Sequence, residues 1–304
     1  MNLLLRNRLD RLILPLLGLL FPVITFAQSK IYGNIIDKDT HDKIPFATIG
    51  LIKQNSGTNA DENGRFELNE FSSKSFDDTL LVTCVGYLNI KIPASGFPKN
   101  GLIELSRKPT ALDAVVIDGK YKWNFVSLNE EGNCGTNYWV GSNYTSQIAQ
   151  HFYAPAENSR LTQVQVCKDG IPVIAPNTCL FRIRVYTLDT LSMQPGFDLT
   201  DSVIEVKASG RHIQIDLEKY HIVIPQHDFF VAVKWLKIPF NEDHESYKSQ
   251  GNKVTRTLYG PYLAVKYQKS SQSSKSISCW HLTYKNQWLP MPGSNAQIAA
   301  TLKY

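Results

Sequence analysis

The residues of this 304-residue chain best suited to chemistry are aromatic rings set among amides and hydroxyls. Trp139 and Tyr144 lie in a stretch with Asn137, Gly141, Ser142 and Asn143, Trp280 and Trp288 flank a second polar stretch, and Tyr138, Tyr259, Tyr262 and Tyr284 extend the set. An exposed ring beside such partners can stack on the face of a sugar while amides and hydroxyls bond its hydroxyl groups. Trp139, Tyr144, Trp280 and Trp288 are therefore the candidate ligand-binding residues, for a glycan, a peptide or a protein of the cell envelope. The competing reading turns each ring into the core, where aromatics in strands usually sit. It has least force at Trp139, because Asn137, Gly141, Ser142 and Asn143 around it are small or polar.

Other chemistry finds less support. None of the seven histidines lies in a His-x-x-Glu or His-Glu-x-x-His arrangement, and a zinc hydrolase needs closely spaced ligands plus a carboxylate base. His221, His227, Asp228 and His244 fall in one loop-strand-loop region, where solvated histidines are the expectation. Asp37, Asp39 and Asp42 lack the remaining ligands of a calcium loop and read as a turn. There is no Gly-x-Ser-x-Gly elbow and no phosphate-binding glycine loop, and Glu130-Glu131 and Glu242-Asp243-Glu245 read as solvated loops. The expectation is no catalytic residue, no metal and no cofactor, with a hydrolase of an envelope polymer as the alternative.

Positioning these rings is a task for strands. The chain is 43% hydrophobic, 11% aromatic and only 19% charged, the profile of a folded, strand-rich protein with room for two domains. Residues 1–27 carry Arg6, Arg8 and Arg11, an apolar run over 12–26 and Thr25-Phe26-Ala27, the order of a secretory signal peptide cleaved before Gln28. The net charge of +5 becomes +3 without that segment, too weak a field to argue for nucleic acid. No later apolar run approaches the roughly 20 residues of a spanning helix, so the expected location is the periplasm, the outer-membrane surface or the medium. Five cysteines in an exported chain permit a disulfide, for which Cys167 and Cys179 are the candidates, at the base of a loop with Pro172 and Pro176. Two separate buried thiols remain the alternative there. Cys84 reads as a small core residue.

Short alternating strands are predicted over 30–37, 47–52, 65–68, 79–85, 88–92 and 101–105, separated by turn chemistry such as Asp61-Glu62-Asn63-Gly64. Ile31-Tyr32-Gly33-Asn34-Ile35-Ile36-Asp37, Ile44-Pro45-Phe46-Ala47-Thr48-Ile49, Gly57-Thr58, Gly64-Arg65-Phe66 and Val85-Gly86-Tyr87 follow one another in an order that resembles the carboxypeptidase-regulatory-like domain. That resemblance implies a transthyretin-like, Ig-like β-sandwich over 29–118, acting as an adaptor or spacer. Leu112-Asp113-Ala114-Val115-Val116-Ile117 is similar to the segment that follows this module in TonB-dependent receptors and engages their energy-coupling protein, but Ala114 stands where those carry Glu. A last strand or connector is the preferred reading, with a linker over 119–129.

Over 130–304, strands are predicted at 147–153, 161–166, 180–188, 203–206, 212–217, 229–236, 262–267, 278–284 and 296–302, which together suggest a jelly-roll-like sandwich. Residues 229–236 read as a strand buried on both faces, and 278–288 as a hairpin with Lys285-Asn286 at its tip. Residues 296–304 alternate and end on Tyr304, which keeps a small outer-membrane barrel as a further alternative. The fold class is all-β, two sandwiches in series.

Overall fold

The computed structural model describes residues 30–69, 77–108, 122–129, 134–135, 137–142, 145–168, 178–200, 202–267 and 278–304. The signal-like segment, Tyr144 and the stretch 112–117 lie outside the described residues. The chain is all-β, as expected.

The first unit comprises β1 (Ile31–Asp37), β2 (Thr48–Leu51), β3 (Ser56–Asn59), β4 (Arg65–Leu68), β5 (Thr79–Thr83), β6 (Ile90–Pro93) and β7 (Leu102–Leu105). They form two sheets, β4-β1-β7 and β3-β2-β5-β6, with β1 and β7 parallel. Period-two alternation supplies the inner faces: Ile35, Phe66, Ile103 and Leu105 from one sheet meet Ile49, Leu51, Leu80 and Val82 from the other. Full burial of such a side chain contributes about 1.5–3 kcal/mol.

The residues that carried the resemblance hold this sandwich together. A Cβ on Gly33 would stand 2.1 Å from the Gly101 carbonyl oxygen, so the two backbones touch where β1 enters the sheet. Gly64 has φ of +72°, and a Cβ there would meet the Ile35 carbonyl at 2.7 Å. Gly64→Val is therefore expected to lower stability by about 1–3 kcal/mol, read as a drop in melting temperature. An unchanged melting curve would remove this account.

The Asp37 carboxylate, fully enclosed, accepts the backbone N–H groups of Asp39 (2.9 Å) and Thr40 (3.1 Å), the Tyr87 hydroxyl (3.0 Å) and Arg107 Nε (2.7 Å). The turn read at Asp37 is present, but its carboxylate faces inward. The Thr40 N–H is the largest influence; against the opposing effect of enclosure, it and the other three donors hold the Asp37 pKa at about 2.

The second unit contains β8 (Phe125–Leu128), β9 (Asn137–Gly141), β10 (Thr145–Tyr153), β11 (Ser159–Cys167), β12 (Thr178–Asp189), β13 (Gln194–Asp198), β14 (Ile204–Ser209), β15 (His212–Asp216), β16 (Val223–Ile224), β17 (Asp228–Trp235), β18 (Glu242–Ser249), β19 (Asn252–Tyr267), β20 (Cys279–Thr283), β21 (Trp288–Pro290), β22 (Ser294–Ala296) and β23 (Ile298–Lys303). A seven-stranded sheet runs β13-β12-β17-β10-β20-β21 with β14 beside β12, and a five-stranded sheet runs β15-β11-β23-β8 with β16 beside β11. The two pack through Ile148, Val164, Phe181, Ile183, Phe229, Val231, Val233, Ile298 and Leu302. A third sheet joins β18, β19, β22 and β9.

Several sequence readings change at this point. Residues 125–128, read as linker, form β8 in the five-stranded sheet, and 137–141, where no strand is predicted, form β9. Glu242-Asp243-Glu245 lies in β18, paired along its whole length with β19, because charged residues are tolerated in a hairpin whose faces are largely solvated. The terminal alternation that suggested a barrel instead points Ile298, Ala300 and Leu302 into the sandwich core. The described strands form five separate sheets.

The expected Cys167–Cys179 bridge is corrected. Cys167 bonds to Cys134, with Cα atoms 5.4 Å apart, and Cys179 is a buried thiol outside that disulfide. Alternation on β11 explains it: Val166 takes the core side, so Cys167 faces away, toward Cys134 and Ala264, while Cys179 belongs to a different sheet and points into the core.

Candidate functional site

The outer face of the seven-stranded sheet is not solvated; the first sandwich covers part of it. Strands β12 and β17 place apolar residues inward at Phe181, Ile183, Val185, Val231 and Val233, so the intervening Arg182, Arg184, Tyr186 and Lys234 face outward. Cross-strand pairing arranges them in rows. Glu205, Arg182, Lys234, Gln147 and Leu282 lie side by side on β14, β12, β17, β10 and β20, with Arg184 one row away.

Arg182 and Lys237 fasten the two units. The Arg182 guanidinium donates to the carbonyls of Pro45 (3.4 Å) and Phe46 (3.5 Å) and lies 5.1 Å above the Phe46 ring, with Glu205 at 3.6 Å. Phe46 in turn is buried against Leu236 and Ile238. The Lys237 backbone N–H donates to Asn59 Oδ1 at 2.9 Å, and its ammonium donates to the Gly57 carbonyl between the rings of Tyr259 and Tyr284. Pro45, Phe46 and Gly57, read from sequence as family markers, thus also form the docking surface.

Between these fastenings the units leave an open cleft of 570 Å³, lined on one side by 83–89 and Lys108 and on the other by Gln147, Arg184, Tyr186, Asp198, Lys234 and Trp288. A smaller cavity of 60 Å³ adjoins it, and Lys234 lines both. Tyr186 donates its hydroxyl to Gln147 Oε1 at 2.8 Å and meets the Trp288 ring edge-on at 5.5 Å. Burial and the Asp198 charge push the Tyr186 phenol up to about 12, so it stays a neutral donor. Arg184 pairs with Asp198 through Nη2, while its Nη1 has no hydrogen-bond partner among the described residues. Lys234 is only 6% exposed and makes neither a hydrogen bond nor an ion pair among the described residues. Burial first, and then the charges of Arg182 and Arg184, draw its pKa down to about 7.

The three candidate rings among the described residues do not form one site. Trp288 is half-buried and lines the cleft. Trp280, only 7% exposed, belongs to a cluster with Ala149, Tyr186 and Phe230 that Trp288 also touches, and it lines a separate cavity with His151 and Phe230. Trp139 packs on the opposite side of the sheet, its Nε1 donating to the Tyr267 hydroxyl at 3.2 Å and its ring 6.0 Å from His281. Tyr144 lies outside the described residues. Cys84, read as a core residue, is half-buried and lines the cleft.

Sequence reasoning passed over Arg182, Arg184 and Lys234. Their signal was available: charged residues at alternate positions in otherwise apolar strands leave an ion facing a surface that something else must cover.

Two other groupings bring reactive side chains together. Ser192, His151 and Asp228 share a cavity of 310 Å³, and His151 Nε2 lies 2.8 Å from Asp228. The Ser192 hydroxyl, however, donates to Asp189 (2.5 Å) and is not linked to His151. His212 stands 3.6 Å from the Cys134 sulfur and 3.8 Å from that of Cys167, a grouping with metal-ligand chemistry whose sulfurs are bonded to each other in this structure. The group of His221, His227, Asp228 and His244 does not assemble among the described residues.

Residues 31–117 match the family model described as the CarboxypepD_reg-like domain. The first sandwich is a carboxypeptidase-regulatory-like domain, Ig-like in fold. No curated protein matches the chain. Among the described residues, no helix is long and apolar enough to cross a membrane.

Proposed function

We propose that this is an exported, non-catalytic protein of the cell envelope, in which the regulatory-like domain acts as an adaptor and the second unit supplies a binding surface for a glycan. One observation carries the reading: a cleft of 570 Å³, within the size range of small-ligand sites, lined by an aromatic ring at Trp288, the neutral donor Tyr186 and the amides of Asn89, Gln147, Gln194 and Asn286. Ring plus amides is the combination that recognises a sugar, by stacking on its apolar face and bonding its hydroxyls. Export is supported by the charged, apolar and small-residue order of residues 1–27. A peptide or a protein partner is the second reading of the same cleft.

Trp288→Ala is expected to weaken glycan binding by about 1–3 kcal/mol, roughly 5- to 150-fold, with little change in melting temperature because the ring is only half-buried. Titration calorimetry against a panel of neutral and anionic trisaccharides, beside melting curves, checks this. Unaltered affinity would remove the ring from the site, and turnover of any panel member would replace binding with hydrolysis.

A further inference from the structure

The cleft holds more positive charge than its own hydrogen bonds use. Arg182 is committed to the first sandwich, but Lys234 and Arg184 are not fully engaged. Both are more than nine-tenths buried, both line the cleft, and they lie one row apart on adjacent strands, a diagonal separation of about 7–8 Å. Among the described residues, the only carboxylate lining the same cavity is Asp198, already paired with Arg184. A buried ammonium without an anion and a buried guanidinium nitrogen without an acceptor are costly. A ligand bringing negative charge compensates both.

We infer that the cleft takes an anionic sugar, whose carboxylate or sulfate sits at the Lys234 ammonium on the Arg184 side of the cleft while its ring lies beside Trp288. The inference rests on the glycan reading above and names the ligand's chemistry. Arg184 offers a planar fork for the anion, and Lys234 offers a point charge. Amides at Asn89, Gln147 and Asn286 remain for the sugar hydroxyls.

The groups that face Lys234 are Arg182 and Arg184 from β12, Asp198 at the end of β13 and Cys84 following β5, with Tyr87, Tyr186 and Lys108 elsewhere on the cleft wall. An ammonium whose pKa is drawn down to about 7 must be protonated to hold the anion. Affinity should therefore fall as pH rises from 6 to 9.

The test is calorimetric titration of the full chain with trigalacturonic acid, its neutral methyl ester and a sulfated galactotriose, at pH 6 and pH 9, for the wild type and Lys234→Met. The expected result is tighter binding of an acidic trisaccharide than of the neutral ester by at least tenfold at pH 6. Lys234→Met should lose at least tenfold in that affinity and lose the fall toward pH 9. The uronate and the sulfated arms separate the two sources of negative charge. Equal affinity for acid and ester, or a Lys234→Met variant with unchanged affinity and pH profile, overturns the anionic site while leaving the glycan reading intact. Binding of none of the three sugars by a folded wild type overturns both.

Discussion

Replacing Cys134 or Cys167 by serine is expected to lower the stability of the folded chain by about 3–4 kcal/mol, the loop-closure entropy that a link between residues 33 apart removes from the unfolded chain. The bond also ties a segment before β9 to the end of β11, where Cys167, Cys134 and Ala264 form a small buried cluster of their own. Serine leaves a hydroxyl in that cluster, which adds to the loss. Thermal melting of the two variants, with and without reductant, checks the magnitude; the wild type in reductant should approach the variants. Peptide mapping without reduction decides the connectivity, and a fragment joining Cys167 to Cys179 would overturn it.

That pairing marks where sequence reading stops. The strands over 65–68, 229–236 and 212–217 were legible because alternation and turn residues are local properties of the chain. Which face of β11 carries Cys167 was legible too, once Val166 is placed in the core. Its partner was not, since Cys134 comes close only through the third sheet, whose strands β9 and β18 carry polar residues that obscure their period. The candidate site divides in the same way. Trp288 was chosen for its residue type and lines the cleft, whereas Trp280 was chosen on the same grounds and is buried, because the side of β20 it occupies faces Tyr186 and Phe230. Lys234 needed the opposite logic. A charge inside Phe229-Phe230-Val231-Ala232-Val233-Lys234-Trp235 is out of place for a strand buried on both faces, and that misfit identifies a surface covered by another unit.

Lys234→Met is expected to raise stability, by about 1–4 kcal/mol at neutral pH, since an apolar side chain of similar length replaces a buried, unpaired cation. The sign follows from proton linkage. The Lys234 pKa falls from an ordinary value of 10.5 to about 7 on folding, so between these limits the unfolded chain binds more protons than the folded one. Stability of the wild type then rises with pH across that window, and the handicap of the buried charge is fully present below it. The gain from methionine should be largest near and below pH 7 and shrink toward pH 10. Each kcal/mol corresponds to roughly 2–4 °C in melting temperature for units of this size, so the effect is measurable. A wild type stabilised by an acidic trisaccharide at pH 6, beside a variant more stable without it and indifferent to it, would mark Lys234 as a charge kept for binding at the expense of the fold. A methionine variant that melts lower than the wild type at both pH values would mean that the ammonium has a stabilising partner, and the assignment of the cleft as an anion site would fall with it.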